Sequence, residues 1–202
     1  MLHMAVAGTE SRSPRAERAR ASIAEALLSL IDEGDLQPTA NRIAERAGIS
    51  LRLIYHHFGD LESLYKEASH IQLKRLLERY VPVPPDLPYD ERLVAFADQR
   101  ARIYEWQTPV RRSAMINEHG SRALQEARSW GMTAAQHEFQ KTFATEIDEI
   151  PDDQREVTLD ALAMVAGWPA WDELRSSGRT IEQATAAMTH AITVLLRTGR
   201  SG

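Results

Sequence analysis

Residues 37–65 read QPTANRIAERAGISLRLIYHHFGDLESLY. Thr39 is a side-chain cap for a helix whose apolar face is Ala40, Ile43, Ala44 and Ala47. Gly48 suits a left-handed turn position and Ile49 plugs the core behind it. Ser50 caps a second short helix, Leu51 to Phe58, about two turns long. Two short helices joined by a tight turn containing glycine form a helix-turn-helix. The second of them is the element that enters a DNA major groove.

The spacing predicts that Ile54 and Phe58 point inward, four residues apart. The available edges are then Ser50, Leu51, Arg52, Tyr55, His56 and His57. Arg52 suits guanine or a phosphate, and Leu51 suits a thymine methyl. Tyr55 carries a hydroxyl on a rigid ring, matched to a phosphate oxygen. Thr39 and Arg42 begin the preceding helix, where backbone N–H groups and the helix dipole favour phosphate. A purely structural corner built the same way is the competing reading. It leaves the clustering of Arg52, Tyr55, His56 and His57 without a packing reason.

The segment resembles the DNA-binding motif of the TetR (tetracycline-repressor-like) family of bacterial regulators. The resemblance is carried by Pro38-Thr39, Ile43-Ala44, Ala47-Gly48-Ile49-Ser50, Tyr55-His56-His57-Phe58, Asp60 and Leu64. A second likeness lies in Trp168, Trp171-Asp172-Glu173-Leu174-Arg175, Thr180 and Ala184, similar to the C-terminal end of many members. The family usually has a lysine where this chain has Leu61, and a small residue or threonine where it has Leu53. A charged phosphate contact is therefore missing and the base readout is unusual. The resemblance implies an all-α fold, with a helix-turn-helix domain over residues 1–60 and a ligand-binding and dimerisation domain over residues 61–202.

The rest of the chain also reads as helix. Ile23, Ala26, Leu27, Leu30 and Ile31 form one face of a first helix, and a long periodic stretch runs from Leu61 to Tyr80. Four prolines within VPVPPDLPYD, residues 81–90, exclude a helix there and mark a stiff connector. Leu93, Phe96, Ala97, Arg100, Ala101 and Tyr104 follow at helical spacing, and Pro109 is read as the start of a further short helix. A long helix is expected over about Ser121 to Ile147, another from Pro151 interrupted at Gly167-Trp168-Pro169, and a last one from Ile181. About nine helices and no strand result, an all-α architecture.

Charge at first argues against nucleic acid: 24 basic residues face 29 acids, net −5. Partitioning changes that. Residues 11–58 carry seven arginines against six acids, net +1, and the remainder is net −6. Arg12, Arg15, Arg18 and Arg20 against Glu17 make a basic arm of net +3, expected to be flexible and within reach of phosphate or a minor groove. A solvated helix start is the alternative. The longest nearly apolar run, Ala161 to Trp171, has 11 residues where a membrane span needs about 20. No secretory signal is read at the start, so a cytoplasmic protein is expected. With no cysteine, a disulfide framework and a thiol sensor are excluded.

Enzyme signatures are weak. One Glu-x-x-His pair, Glu67 and His70, is half of the minimum for a di-iron bundle. There is no phosphate loop, G-x-S-x-G or H-E-x-x-H, and no metal or cofactor is expected. A helical enzyme or carrier without DNA binding is the alternative class. Beyond residue 100, bulky and polar side chains flank helix interruptions, where a bundle can enclose a pocket. Trp106, Met115, Asn117, His119, Trp130, His137, Met164 and Trp168 are the candidate ligand contacts. Core packing is the alternative for the aromatics. Small residues at Ala161, Ala163, Ala166, Ala184, Ala187 and Ala191 suit close helix approach, and the resemblance assigns the last two long helices to a homodimer interface. The resulting expectation is a homodimeric repressor on a palindromic operator, released by a small-molecule effector.

Overall fold

The computed structural model describes residues 13–199. Those residues hold ten α-helices and no strand: α1 (Pro14–Asp32), α2 (Ala40–Arg46), α3 (Leu51–Phe58), α4 (Leu61–Arg79), α5 (Tyr89–Asn117), α6 (Arg122–Thr142), α7 (Ala144–Asp148), α8 (Asp152–Val165), α9 (Trp168–Ser176) and α10 (Ile181–Gly199). A 3-10 turn, Glu118–Gly120, lies between α5 and α6. No helix among the described residues is long and apolar enough to cross a membrane.

The chain forms two compact units. One comprises α1–α3, α4 as far as Arg75, and Pro109–Gln125; the other comprises Leu76–Thr108 and the chain from Glu126 onward. The core of the first unit is aliphatic, built on Ile23, Leu27, Leu28, Ile43, Ile54 and Leu64. Ser13 starts α1, its hydroxyl accepting from the Ala16 amide, and Pro14 occupies the first turn, where its missing N–H costs nothing. Gly48 has φ +67, a backbone conformation a Cβ would strain, and it makes the turn between α2 and α3.

The core of the second unit is aromatic. Phe96, Phe139 and Phe143 pack with ring centroids 4.8–5.4 Å apart. Phe143 is fully buried and its backbone leaves the helical region, which splits the expected 121–147 helix into α6 and α7. Pro109 does not start a helix. It lies inside α5, which runs unbroken to Asn117. The 81–90 prolines do separate α4 from α5, though α5 already begins at Tyr89. In the connector Val83 is buried and the Val81 amide donates to Gln99 Oε1 at 2.9 Å. The break at Gly167 is enforced by space: a Cβ there would sit 2.7 Å from the Ala163 carbonyl oxygen.

Two buried charge pairs sit beside the aromatics. Arg92 bonds Glu146 and lies 5.7 Å from the Phe143 ring centroid. Arg100 pairs with Glu138 at 2.7 Å and lies 4.7 Å over Phe96. Arginine suits both positions because its planar, weakly hydrated guanidinium stacks on a ring while its edges bond carboxylate.

Candidate nucleic-acid interface

Helix α3 is amphipathic in the sense its spacing predicts. Ile54 and Phe58 are buried, at 0% and 6% exposure, and fix the inner face to α1 and α2. Leu51, Arg52, Leu53, Tyr55 and His56 are exposed. His57 is half-buried, and its ring meets that of His56 edge-on, with centroids 5.6 Å apart. Burial, then the neighbouring His56 and Arg20 charges, push the His57 imidazole below its ordinary range, so its neutral form is favoured. Ser50 caps α3 by accepting from the Leu53 amide at 3.3 Å. Gly59 ends the helix with φ +76, its amide bonded to the Tyr55 carbonyl.

Thr39 caps α2, its hydroxyl accepting from the Arg42 amide at 3.3 Å. Arg42 is exposed but not free: its guanidinium lies 2.5 Å from Asp35 Oδ2. Arg46, at the other end of α2, makes two 2.6 Å bonds to Glu33 and one of 2.8 Å to Ser29. That bidentate pair holds the Glu33 carboxyl below its usual range. After α3, Asp60 Oδ1 accepts from the Ser63 amide at 2.8 Å, which holds Asp60 ionised below its usual range. Leu61, standing where a lysine is usual, packs against the core of this unit.

The basic arm needs correction. Arg15, Arg18 and Arg20 lie within α1, because Ser13 and Pro14 start the helix earlier than the charge pattern suggests; Arg12 is outside the described residues. Arg20 is the largest departure. It is 8% exposed, donates to the His57 carbonyl, reaches Glu67 Oε2 at 3.3 Å and lies 4.0 Å over the Phe58 ring. Glu67 of the lone Glu-x-x-His pair is therefore engaged in this contact. Sequence reading missed Arg20 because its neighbours Arg15 and Arg18 are solvent-exposed. The signal available was its place three residues before the buried Ile23.

The candidate ligand contacts are spread through both units. In the first, Met115 and His119 are exposed, and Asn117 donates to the Ser113 carbonyl at 2.8 Å. In the second, His137 and Met164 are exposed and Trp130 is half-buried. Trp106 is half-buried with Arg79 4.4 Å over its ring. Trp168 is 4% exposed and donates to Thr108 Oγ1 at 3.0 Å, so it serves the core. The second unit has an open groove of about 610 Å³ that none of these lines. Its walls are Asp98, Ala101, Arg102 and Glu105 on α5 and Ile181, Glu182, Thr185 and Ala186 on α10. Sequence reading missed it, since such mixed charge at helical spacing reads as a solvated face.

Helices α8 and α10 pack on each other within the chain. Ala184 on α10 and Ala166, the residue that follows α8, are buried at 0% and 8%. Ala161, Ala163 and Ala191 are half-buried, and Ala187 is exposed. Outside remain Val157 and Met164 on α8 and Val194 on α10, at 66%, 75% and 42% exposure.

Comparison with known proteins meets this geometry at α1 to α4. Residues 23–68 match the family model of bacterial regulatory proteins, tetR family. No curated protein matches the chain. Among solved structures, a tetR-family transcriptional regulator from Streptomyces coelicolor is similar at 21% identity, covering 92% of this chain and 83% of its own, with a TM-score of 0.70. A transcriptional regulator from Rhodococcus sp. Rha1 is similar at 19% identity over 92% of this chain and 97% of its own, with a TM-score of 0.65. A regulator described as of the TetR family, from Mesorhizobium loti, is similar at 17% identity over 91% and 98% of the two chains, with a TM-score of 0.64. At these identities the solved structures speak for the fold. The match at residues 23–68 places a helix-turn-helix segment like that of the tetR family of bacterial regulatory proteins at α1 to α4 of this chain.

Proposed function

We propose that this protein is a DNA-binding transcriptional regulator whose α3 reads base edges in the major groove. The observation that carries this is the two-faced character of α3. Ile54 and Phe58 anchor it while Leu51, Arg52, Tyr55 and His56 stand clear of the fold. Thr39, Ser50 and His57 flank that face and supply backbone contacts, and Arg42 adds one when its pair with Asp35 opens. Residues 1–60 are taken as the DNA-binding part and residues 61–202 as the ligand-binding and dimerisation part, a functional division that assigns to the second part Leu61–Arg75 and Pro109–Gln125 of the first compact unit.

The protein acts as a homodimer. A two-turn helix reads only a few base pairs, and two copies about 34 Å apart on a palindrome multiply the discrimination. The exposed Val157, Met164, Ala187 and Val194 on α8 and α10 support a partner there. The regulator is a repressor, released when a small molecule binds better to a form whose recognition helices are wrongly spaced. Effector contact is assigned to Trp106 and Trp130, the half-buried members of the candidate set in the second unit.

The test is selection of duplexes from a random library by the wild-type protein, followed by gel shift with Arg52→Ala plus Tyr55→Phe. The double variant should lose preference for the selected duplex. Unchanged specific binding would remove α3 from the readout. A helical enzyme or carrier would select no duplex at all.

A further inference from the structure

The guanidinium of Arg20 is buried in α1, and its hydrogen bonds and ring contact reach α3 and α4. One terminal nitrogen donates to the His57 carbonyl, in the last turn of α3. The other reaches Glu67 Oε2 on α4 at 3.3 Å. The plane lies 4.0 Å over Phe58, the last residue of α3. Helix C-terminal carbonyls lack intrahelical partners and carry partial negative charge, so a cation there is favoured. The first end of α3 is held by Ser50 and its middle by Ile54. Arg20 is a polar link that joins its far end to α1 and α4.

Stability alone is a poor reason for this arrangement. The Arg20 Nε is buried with no partner, which carries a desolvation cost. A buried ion pair is in general weak evidence for stability. Its distinctive product is orientation: a planar fork satisfying two acceptors and one ring at once admits one pose. Base contacts demand it, since bidentate hydrogen bonds tolerate errors of only about 0.5 Å and 10–20°.

We infer that Arg20 is a positioning residue for DNA recognition, setting the pose of α3 through His57 and Phe58 with Glu67 as the counter-ion that aims it. The inference rests on the DNA-binding reading above. It makes Arg20 a determinant of specificity without base contact.

The experiment uses the full chain, the duplex selected by the wild type and a scrambled duplex of equal length and composition. Arg20→Met keeps an apolar stem over Phe58 and removes both polar links. It should lower affinity for the selected duplex at least tenfold and change scrambled-duplex affinity less than twofold. Arg20→Lys keeps the charge but not the fork, and should restore only part of the ratio. Glu67→Gln leaves Arg20 in place and should lower the ratio by about threefold; it decides the matter should the methionine variant not fold. An NMR titration of His57 gives a second readout: its midpoint should rise in Arg20→Met and stay low in Arg20→Lys. An unchanged ratio in the variants, equal losses on both duplexes, or full rescue by lysine would overturn the inference. A wild type that selects no duplex would overturn the DNA-binding reading and this inference with it.

Discussion

Asp35→Asn should make this protein bind DNA more tightly and with a steeper salt dependence. Arg42 stands at the start of α2, where phosphate contact is expected, but Asp35 Oδ2 holds its guanidinium at 2.5 Å. While that pair persists, the cation offers little net charge to DNA. Releasing it adds one neutralised phosphate per protomer, and each steepens the slope of log K against log salt by about 0.9. In a dimer the change is about 1.8, so the advantage over wild type should grow about twelvefold between 200 and 50 mM salt. Folding should suffer modestly. The Arg42 side chain is 57% exposed but that of Asp35 only 18%, so asparagine, which keeps the shape and an acceptor, should cost about 1 kcal/mol. Fluorescence anisotropy at four salt concentrations reads the slope, and the same series in an Arg42→Ala background completes a double-mutant cycle. The reasoning predicts no steepening in that background. A slope that does not change on Asp35→Asn, or changes equally with and without Arg42, would refute it.

Further expectations follow from the second unit and from His57. Phe143→Ala removes the centre of the aromatic cluster and should cost about 3–5 kcal/mol. All four tryptophans lie in the second unit, so a fluorescence melt isolates its transition. Gly167→Ala forces a Cβ to within 2.7 Å of a backbone carbonyl and should lower the same transition, by about 1–3 kcal/mol. An unchanged melt would mean that the α8–α9 corner relaxes freely. The depressed His57 pKa means the folded state prefers the neutral ring. Its contribution is therefore present above the ordinary histidine pKa and is lost as pH falls through the lower folded value. His57→Gln should flatten the decline in stability on acidification below about pH 6.5; equal declines would refute the assignment.

The helix-turn-helix was legible because each of its signals is local. Thr39 and Ser50 cap their own helices, Gly48 turns between them, and Ile54 and Phe58 share a face by spacing alone. Arg20 was not legible, since its role depends on Glu67, 47 positions away. The split between α6 and α7 was hidden for the same reason. Phe143 fits a helical pattern and leaves it to fill a hole between Phe96 and Phe139. The place of Trp168 beside a break suggests a pocket residue, but the break turns it into the core toward Thr108. Pro109 misled in the opposite direction, because an established helix can carry a proline that a propensity argument would place at its start.

One contact has a kinetic meaning. Glu62, in the first turn of α4, accepts from the Ala123 amide at 2.6 Å, while Ser121 caps the neighbouring Leu124 amide at 3.2 Å. Exposed first-turn amides of a helix ordinarily trade their hydrogens with solvent quickly, having no carbonyl to shelter them. The Ala123 amide is sheltered by a side chain instead, and that side chain sits four residues after the end of α3. Its exchange lifetime is therefore a local clock on the α3–α4 corner, readable without DNA, effector or operator in hand. Any event that swings Glu62 away starts the clock, and Glu62→Gln, which keeps an acceptor but drops the charge, calibrates it.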